Sequence, residues 1–191
     1  MSTMTDDGGT YERYVKALLA GDRHVCAQMV EEQRKKPTSV KDIYGGLFQR
    51  SLYDVGELWE LNRISVATEH LATSITEGIM NRLFGEMISP LRANRKVVVA
   101  SVEGELHQVG AKMVADVFEM HGWDSFYLGA GTPTKELIRF CREISPDVVG
   151  LSLSVYFHIG SLEDAIVQLR ESFPDMPVVV LSAFPETDFA L

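Results

Sequence analysis

The 191-residue chain is poor in cysteine, in long apolar runs and, over its second half, in positive charge. Its two cysteines, Cys26 and Cys141, are far apart and lack Cys-x-x-Cys spacing. A disulfide framework and a cysteine zinc site are therefore not expected, and both residues read as small buried apolar groups. No apolar run approaches the ~20 residues of a membrane span. The first eleven residues are polar and acidic, with no apolar signal-peptide core, so residues 1–10 read as a disordered tip on a cytoplasmic protein. Residues 93–191 hold 7 Lys and Arg against 14 Asp and Glu, whereas residues 1–92 are nearly balanced at 11 against 13. An acidic surface repels phosphate backbones, so direct nucleic-acid binding is not expected. The one basic cluster, Arg34-Lys35-Lys36, precedes Pro37 and complements the C-terminal dipole of a helix. No Gly-x-Gly-x-x-Gly follows the first strand, which counts against a dinucleotide fold.

What is present divides into two patterns. With 46% hydrophobic and 24% charged residues the chain can bury a core. From Tyr11 to Lys36, Tyr14, Ala17, Leu18 and then Val25, Met29, Val30 recur at helical spacing, with a break at Gly21-Asp22. Ser39 and Asp42 have capping-box spacing for a third helix, which the stripe Ile43, Leu47, Leu52, Val55, Leu58, Trp59 carries to about Glu60. Ser65 caps a fourth, spanning 66–87, with Ala67, Leu71, Ile75, Ile79 and Leu83 on one face. Short links between four helices predict an antiparallel bundle over 11–92. Trp59, Glu69 and His70 gather around its third connection. Glu69 and His70 are neighbours on a helix, about 100° apart, so both cannot face a core.

From Arg95 the period changes. Residues 97–102 are an apolar run interrupted only by Ser101, as in a strand buried on both faces. Strands follow at 125–129, 148–154 and 177–182. Three helices alternate with them: one with Met113, Val114, Val117 and Phe118 inward, one capped by Thr132 with Pro133 at its first position, one capped at Ser161. Strict alternation predicts a doubly wound parallel α/β domain, Rossmann-like (flavodoxin-like), over 93–191. A helix, a strand and a helix that would complete such a domain are missing before Leu191, and a truncated C-terminus is expected. After the first strand comes Glu105-Leu106-His107-Gln108-Val109-Gly110: an acid, a histidine and a glycine at a strand's carboxyl end, where open α/β sheets bind ligands.

A helical bundle followed by Glu-x-His-x-x-Gly in a doubly wound domain resembles the cobalamin (vitamin B12)-binding modules, whose usual motif is Asp-x-His-x-x-Gly. The resemblance covers nearly all of residues 11–191. It implies that cobalamin lies between the bundle, as cap, and the sheet. His107 would bind cobalt from below, Glu105 would fix its tautomer, and Gly110 would let the chain approach the nucleotide tail. The Ser-x-Leu pattern of the family falls on Ser152-Leu153-Ser154, so the serine fits and Ser154 stands in place of leucine. The family's Gly-Gly pair falls on Leu181-Ser182 and is missing, which implies either a narrower tail slot or a different local path. A relay from the acid would end near His158 or Ser161.

Trp59, Glu69 and His70 reproduce the Trp-x9-Glu-His spacing in the cap of the light-sensing adenosylcobalamin-dependent repressors of the MerR type. The resemblance implies that Trp59 packs by the adenosyl group and Glu69 meets the upper ligand. Those proteins place a histidine after the tryptophan. Here Glu60 stands instead, which closes that route to a second histidine ligand and leaves His70 as a substitute. Their DNA-binding domain has no counterpart before this bundle. The expected function is a cobalamin sensor, adenosylcobalamin rather than methylcobalamin, acting on a protein partner or through a homo-oligomer. The alternative is a corrinoid carrier protein of a methyltransferase system.

Overall fold

The computed structural model describes residues 9–182 and divides into two compact units, one ending at Glu86 and one beginning at Met87. The first is helical. Helix α1 (Thr10–Leu19) and α2 (Arg23–Arg34) flank the Gly21-Asp22 turn, where the Asp22 carboxylate accepts from the Val25 amide at 3.0 Å. Tyr14, Ala17, Leu18, Met29 and Val30 are buried as the spacing requires, but Val25 is exposed and Cys26 takes the inward position. Ser39 and Asp42 form the full reciprocal capping box at the start of α3 (Val40–Ile43). The third helix is not uniform. Residues Tyr44–Gln49 form a π-helical segment between α3 and α4 (Arg50–Glu60). The adjacent Gly45-Gly46 pair carries no side chain to hold the tighter α pitch, and this offset rotates the stripe behind it. Val55 stays buried, Leu52 and Leu58 are half-buried, and Trp59 is 43% exposed.

Helix α5 (Val66–Met87) has the expected bounds, and its Thr68 amide donates to the Ser65 hydroxyl at 3.1 Å. Its inward face is Ala72, Ile75, Thr76, Ile79, Met80 and Leu83; Ala67 and Leu71 are exposed. The first turn and a half therefore supplies no core. Thr76 settles its buried hydroxyl on the Ala72 carbonyl at 3.0 Å, so a polar residue costs little there. Both cysteines are free and fully buried, and burial pushes both thiols up to about 11. Among the described residues no helix is long and apolar enough to cross a membrane.

The second unit is a four-stranded parallel sheet of order β2-β1-β3-β4, with β1 Lys96–Ser101, β2 Asp124–Gly129, β3 Val148–Leu153 and β4 Val178–Ser182. The order reverses between β1 and β3, the switch point at which such sheets bind ligands. On one face Val98, Ala100, Val149, Leu151 and Leu153 meet Leu137, Ile138 and Cys141 of α7 (Thr134–Ile144) and Leu162, Ala165 and Leu169 of α8 (Ile159–Ser172). On the other, Val97 and Val99 meet α6 (Val109–Met120). That helix presents Ala111 and Ala115, fully buried, with Phe118 packed alongside; Met113, Val114 and Val117 are only half-buried. Small side chains let the helix lie close to the central strand, which a reading based on the largest residues misses.

Two expected caps lie elsewhere. Helix α7 begins at Thr134 after an extended Pro133, and the Thr134 amide faces the Glu103 carboxylate at 3.4 Å, so Thr132 is outside the helix. A 3₁₀ turn, Tyr156–His158, runs straight into α8, which starts at Ile159 and leaves Ser161 inside its first turn. The proposed C-terminal truncation concerns residues beyond 182 and lies outside the described residues.

Residues 89–95, at the start of the second unit, are fastened to its sheet and helices. Arg92 reaches Glu119 at 3.0 Å, the Trp123 carbonyl at 2.7 Å and Asp124 at 2.5 Å. The Ala93 amide donates to the Gly122 carbonyl at 2.7 Å. Gly122 ends α6 in a Schellman turn: its amide donates to Glu119 and that of Trp123 to Phe118, with φ +81°. A Cβ there would collide with the Leu91 carbonyl. Gly122→Ala is expected to destabilise the protein by about 2–3 kcal/mol, through left-handed strain plus the clash, in a denaturant melt.

At the amino ends of β1 and β3, Asp147 accepts from the Lys96 amide at 2.8 Å and from Arg95 at 2.6 Å, while its own amide donates to the Lys96 carbonyl. The Lys96 amide first, and Arg95 second, hold the Asp147 carboxyl below the ordinary 3.8. A carboxyl that is more acidic folded than unfolded stabilises above its unfolded value and loses that contribution as pH falls through its folded value. The difference in melting temperature between wild type and Asp147→Asn is therefore expected to be largest near neutrality and to shrink below about pH 4.

Candidate functional site

The site grows from a tight turn at the end of β1. The Glu105 amide donates to the Val102 carbonyl at 3.0 Å, with Gly104 at φ +87° in the third position of a type II turn. This drops the Glu105 side chain inward, where it is fully buried. One carboxylate oxygen, Oε1, accepts from the His107 amide at 2.9 Å and lies 2.6 Å from His107 Nδ1. The other, Oε2, accepts from the amides of Ser154 at 2.8 Å and Val155 at 3.0 Å, just past β3. A single carboxylate thus bridges the two loops at the switch point.

Hydrogen bonds to an ionised group contribute about 1.5–3 kcal/mol each. Four of them are of the size needed to offset a desolvation penalty of several kcal/mol. The acidity reflects the same balance. Burial pushes the Glu105 carboxyl up, but the amides of His107 and Ser154, the His107 ring and the Val155 amide outweigh it and hold it below the ordinary 4.5. An ionised carboxylate only accepts, so Nδ1 carries a proton, and in the neutral form of the ring the lone pair lies on Nε2. The imidazole itself is 56% exposed. The result is a ring fixed at one nitrogen and open at the other.

Backbone contacts hold the rest of the loop. Ser101 Oγ donates to the His107 carbonyl at 3.0 Å, Tyr127 Oη to the Gln108 carbonyl at 3.0 Å, and the Gly131 amide to the Glu105 carbonyl at 2.9 Å. Strands β1, β2 and β3 therefore all converge on residues 105–108. Ser101, Tyr127 and Gly131 were not singled out from sequence; a hydroxyl ending an otherwise all-apolar strand was the one available signal, at Ser101.

Of the other expected residues, Ser152 is buried in β3 opposite Ser101, and Ser154 meets Glu105 through its amide, not its hydroxyl. Neither His158 nor Ser161 bonds to the carboxylate, so the expected relay ends on backbone amides. His158 instead packs its ring over Gly104. Gly110 lies in the first turn of α6, and a Cβ added there would meet nothing within 4 Å, so protein packing does not demand a glycine. Leu181 and Ser182 lie in β4; the Leu181 side chain rests over Gly150 of β3, where a Cβ would come within 3.6 Å of it. The bulk at Leu181 is taken up by a glycine on the next strand.

In the first unit, Glu69 accepts from Thr73 Oγ1 at 2.9 Å and lies 2.6 Å from His70 Nδ1. The Glu69 side chain is 22% exposed and that of His70 74%. Thr73, one turn on, was not anticipated. Trp59, in the last turn of α4, has no hydrogen bond or ring contact with either.

Among the described residues no group of three or more His, Cys, Asp or Glu is arranged to hold a bare metal ion. One carboxylate-backed imidazole suits a metal that brings its own equatorial ligands, as cobalt in a corrin does. The donor set fits that group.

Comparison with known proteins bears on the same point. Over 130 residues the chain is 32% identical to the HTH-type transcriptional repressor CarH of Myxococcus xanthus, a match covering 68% of this chain and 43% of that protein. The chain thus spans about two fifths of that relative's length. It is 24% identical over 172 residues to dimethylamine corrinoid protein 3 of Methanosarcina acetivorans, covering 88% of this chain and 79% of the other. In fold it is similar to the monomethylamine corrinoid protein of Methanosarcina barkeri, with a TM-score of 0.79 and 16% identity over 94% of this chain and 86% of that one. One B12 binding domain model matches residues 95–191 and a second B12 binding domain model residues 10–84. The first alone covers more than half the chain, which belongs to the B12 binding domain family.

Proposed function

We propose that the chain is a cobalamin-dependent sensor in which His107 Nε2 is the lower axial ligand of cobalt. The observation that carries the lower-ligand assignment is the imidazole fixed through Nδ1 by a buried, fully bonded carboxylate, with Nε2 open. Cobalt in a corrin takes two axial ligands, and the identity of the upper one sets its chemistry and its response to light. Glu105 holds the Nδ1 proton and so keeps Nε2 a donor toward the metal. Gly110, with open space around its α-carbon, leaves room for the nucleotide tail, and Ser152 and Ser154 border the same loops.

The upper face is the work of Trp59, Glu69 and His70. The exposed indole of Trp59 is free to cover an upper ligand, and the Glu69–His70 pair supplies polar groups, with Thr73 steadying the carboxylate. Adenosylcobalamin is the form this reading favours. Loss of an adenosyl group would remove what these side chains are placed to cover, and the response would pass to a protein partner or to self-association. The similarity to CarH supports the sensor. A corrinoid carrier is the second reading, favoured by the similarity to dimethylamine corrinoid protein 3 over most of the chain. Both readings share His107.

His107→Ala is expected to leave the apo-protein folded, because the ring is more than half exposed, and to weaken cobalamin binding by about tenfold or more, with a changed absorption spectrum of the bound cofactor. Titration of hydroxocobalamin followed by absorbance checks this; identical spectra and affinities would remove His107 as ligand. Green illumination of the adenosylcobalamin complex is expected to bleach the Co–C absorption and shift the elution volume on a sizing column. Bleaching without any change in elution, together with tighter binding of methylcobalamin, would favour the carrier.

A further inference from the structure

We propose that Leu106 and Phe157 form an apolar ledge on which the corrin ring rests beside His107, an inference that builds on the assignment of His107 as lower ligand. Leu106 is 78% exposed and Phe157 88%, the latter the most exposed large apolar side chain among those described. One belongs to the loop after β1 and the other to the turn after β3, the same two loops that Glu105 joins through the Ser154 and Val155 amides. Ledge and ligand are therefore parts of one braced assembly.

Phe157 is held outward rather than free to fold back. It occupies the middle of the 3₁₀ turn Tyr156–His158, and its ring meets that of His158 edge-on at 5.5 Å and 81°. The His158 ring in turn lies against Gly104, where any Cβ would approach within 3.2 Å of it. Gly104 thus serves two ends: its positive φ makes the Glu105 turn, and its missing side chain seats the histidine that props Phe157.

The chemistry of the surroundings selects the occupant. Residues 101–110 and 150–161 contain no lysine or arginine, and their charges are the carboxylates of Glu103 and Glu105. Nothing in these segments provides a cation for a phosphate or an acidic peptide. A ligand that reaches Nε2 and is several times wider than an imidazole must cover the residues next to it. A corrin offers an uncharged face and amide-bearing edges, which suit an apolar ledge with exposed backbone nearby.

The test compares hydroxocobalamin with cobinamide, which has the same ring and no nucleotide tail, by absorbance titration of wild type, Phe157→Ala, Phe157→Leu and Leu106→Ala. Phe157→Ala and Leu106→Ala are expected to weaken both corrinoids by about tenfold, with apo melting temperatures unchanged because neither side chain is buried in the free protein. Phe157→Leu, which keeps apolar area, is expected to retain most of the affinity. Unchanged affinities in the alanine variants, while His107→Ala still alters the bound spectrum, would overturn the ledge and leave His107 standing. Weakening of cobalamin alone would place these residues at the nucleotide tail, and weakening that tracks a fall in apo melting temperature would make them packing residues. Either result overturns the ledge. A wild-type protein that binds neither corrinoid overturns both readings.

Discussion

The site depends on one buried carboxylate. Glu105 has no exposed surface, yet it remains ionised because three backbone amides and an imidazole fill its lone pairs. Each bond also has a positional effect. The His107 amide fixes the loop, the ring nitrogen fixes the tautomer, and the Ser154 and Val155 amides fix the neighbouring strand end. A glutamate, one methylene longer than the aspartate more usual in this motif, spans from β1 across to backbone beyond β3. Because its partners there are backbone amides, which donate hydrogen bonds but do not ionise, the carboxylate acts as a brace and not as a step in a relay.

The alternation of elements was legible from the sequence, because buried parallel strands are continuous apolar runs and the helices between them are amphipathic. So were the capping box at Ser39 and Asp42 and the place of Glu105 and His107 at the end of β1. What escaped had local causes. The π-helical segment at Tyr44–Gln49 contains the Gly45-Gly46 pair, and periodicity cannot count a turn with an extra residue. The inward face of α6 is marked by Ala111 and Ala115, small residues that carry less hydrophobic weight in the sequence pattern than the half-buried Met113, Val114 and Val117 beside them. Thr132 and Ser161 have the chemistry of caps, but the extended Pro133 and the 3₁₀ turn at Tyr156–His158 shift the helix starts past one and before the other. The bonds to Glu105 from Ser154 and Val155 are made by backbone, which no side-chain pattern encodes.

The two halves of the functional question rest on different parts of the chain. The proposed lower ligand and its brace lie in a domain that both proposed roles share, so His107 and Glu105 speak to cofactor binding and not to its use. The residues that would separate the two roles lie in the helical unit. There Glu69 already has two partners, His70 and Thr73, and the position after Trp59 is Glu60.

The β1–β3 pair is bracketed by carboxylates at both ends, Asp147 taking the Lys96 amide before the pairing starts and Glu105 taking the Ser154 and Val155 amides after it ends. A parallel pair can in principle slide by two residues and keep its side chains on the correct faces. Here such a slip would strand both anions at once, one of them in the interior. The strand register is consequently locked from two sides, and with it the height of His107 above the sheet. The position of the His107 ring in this protein is thus set less by the loop that carries it than by the cost of sliding one strand along the other.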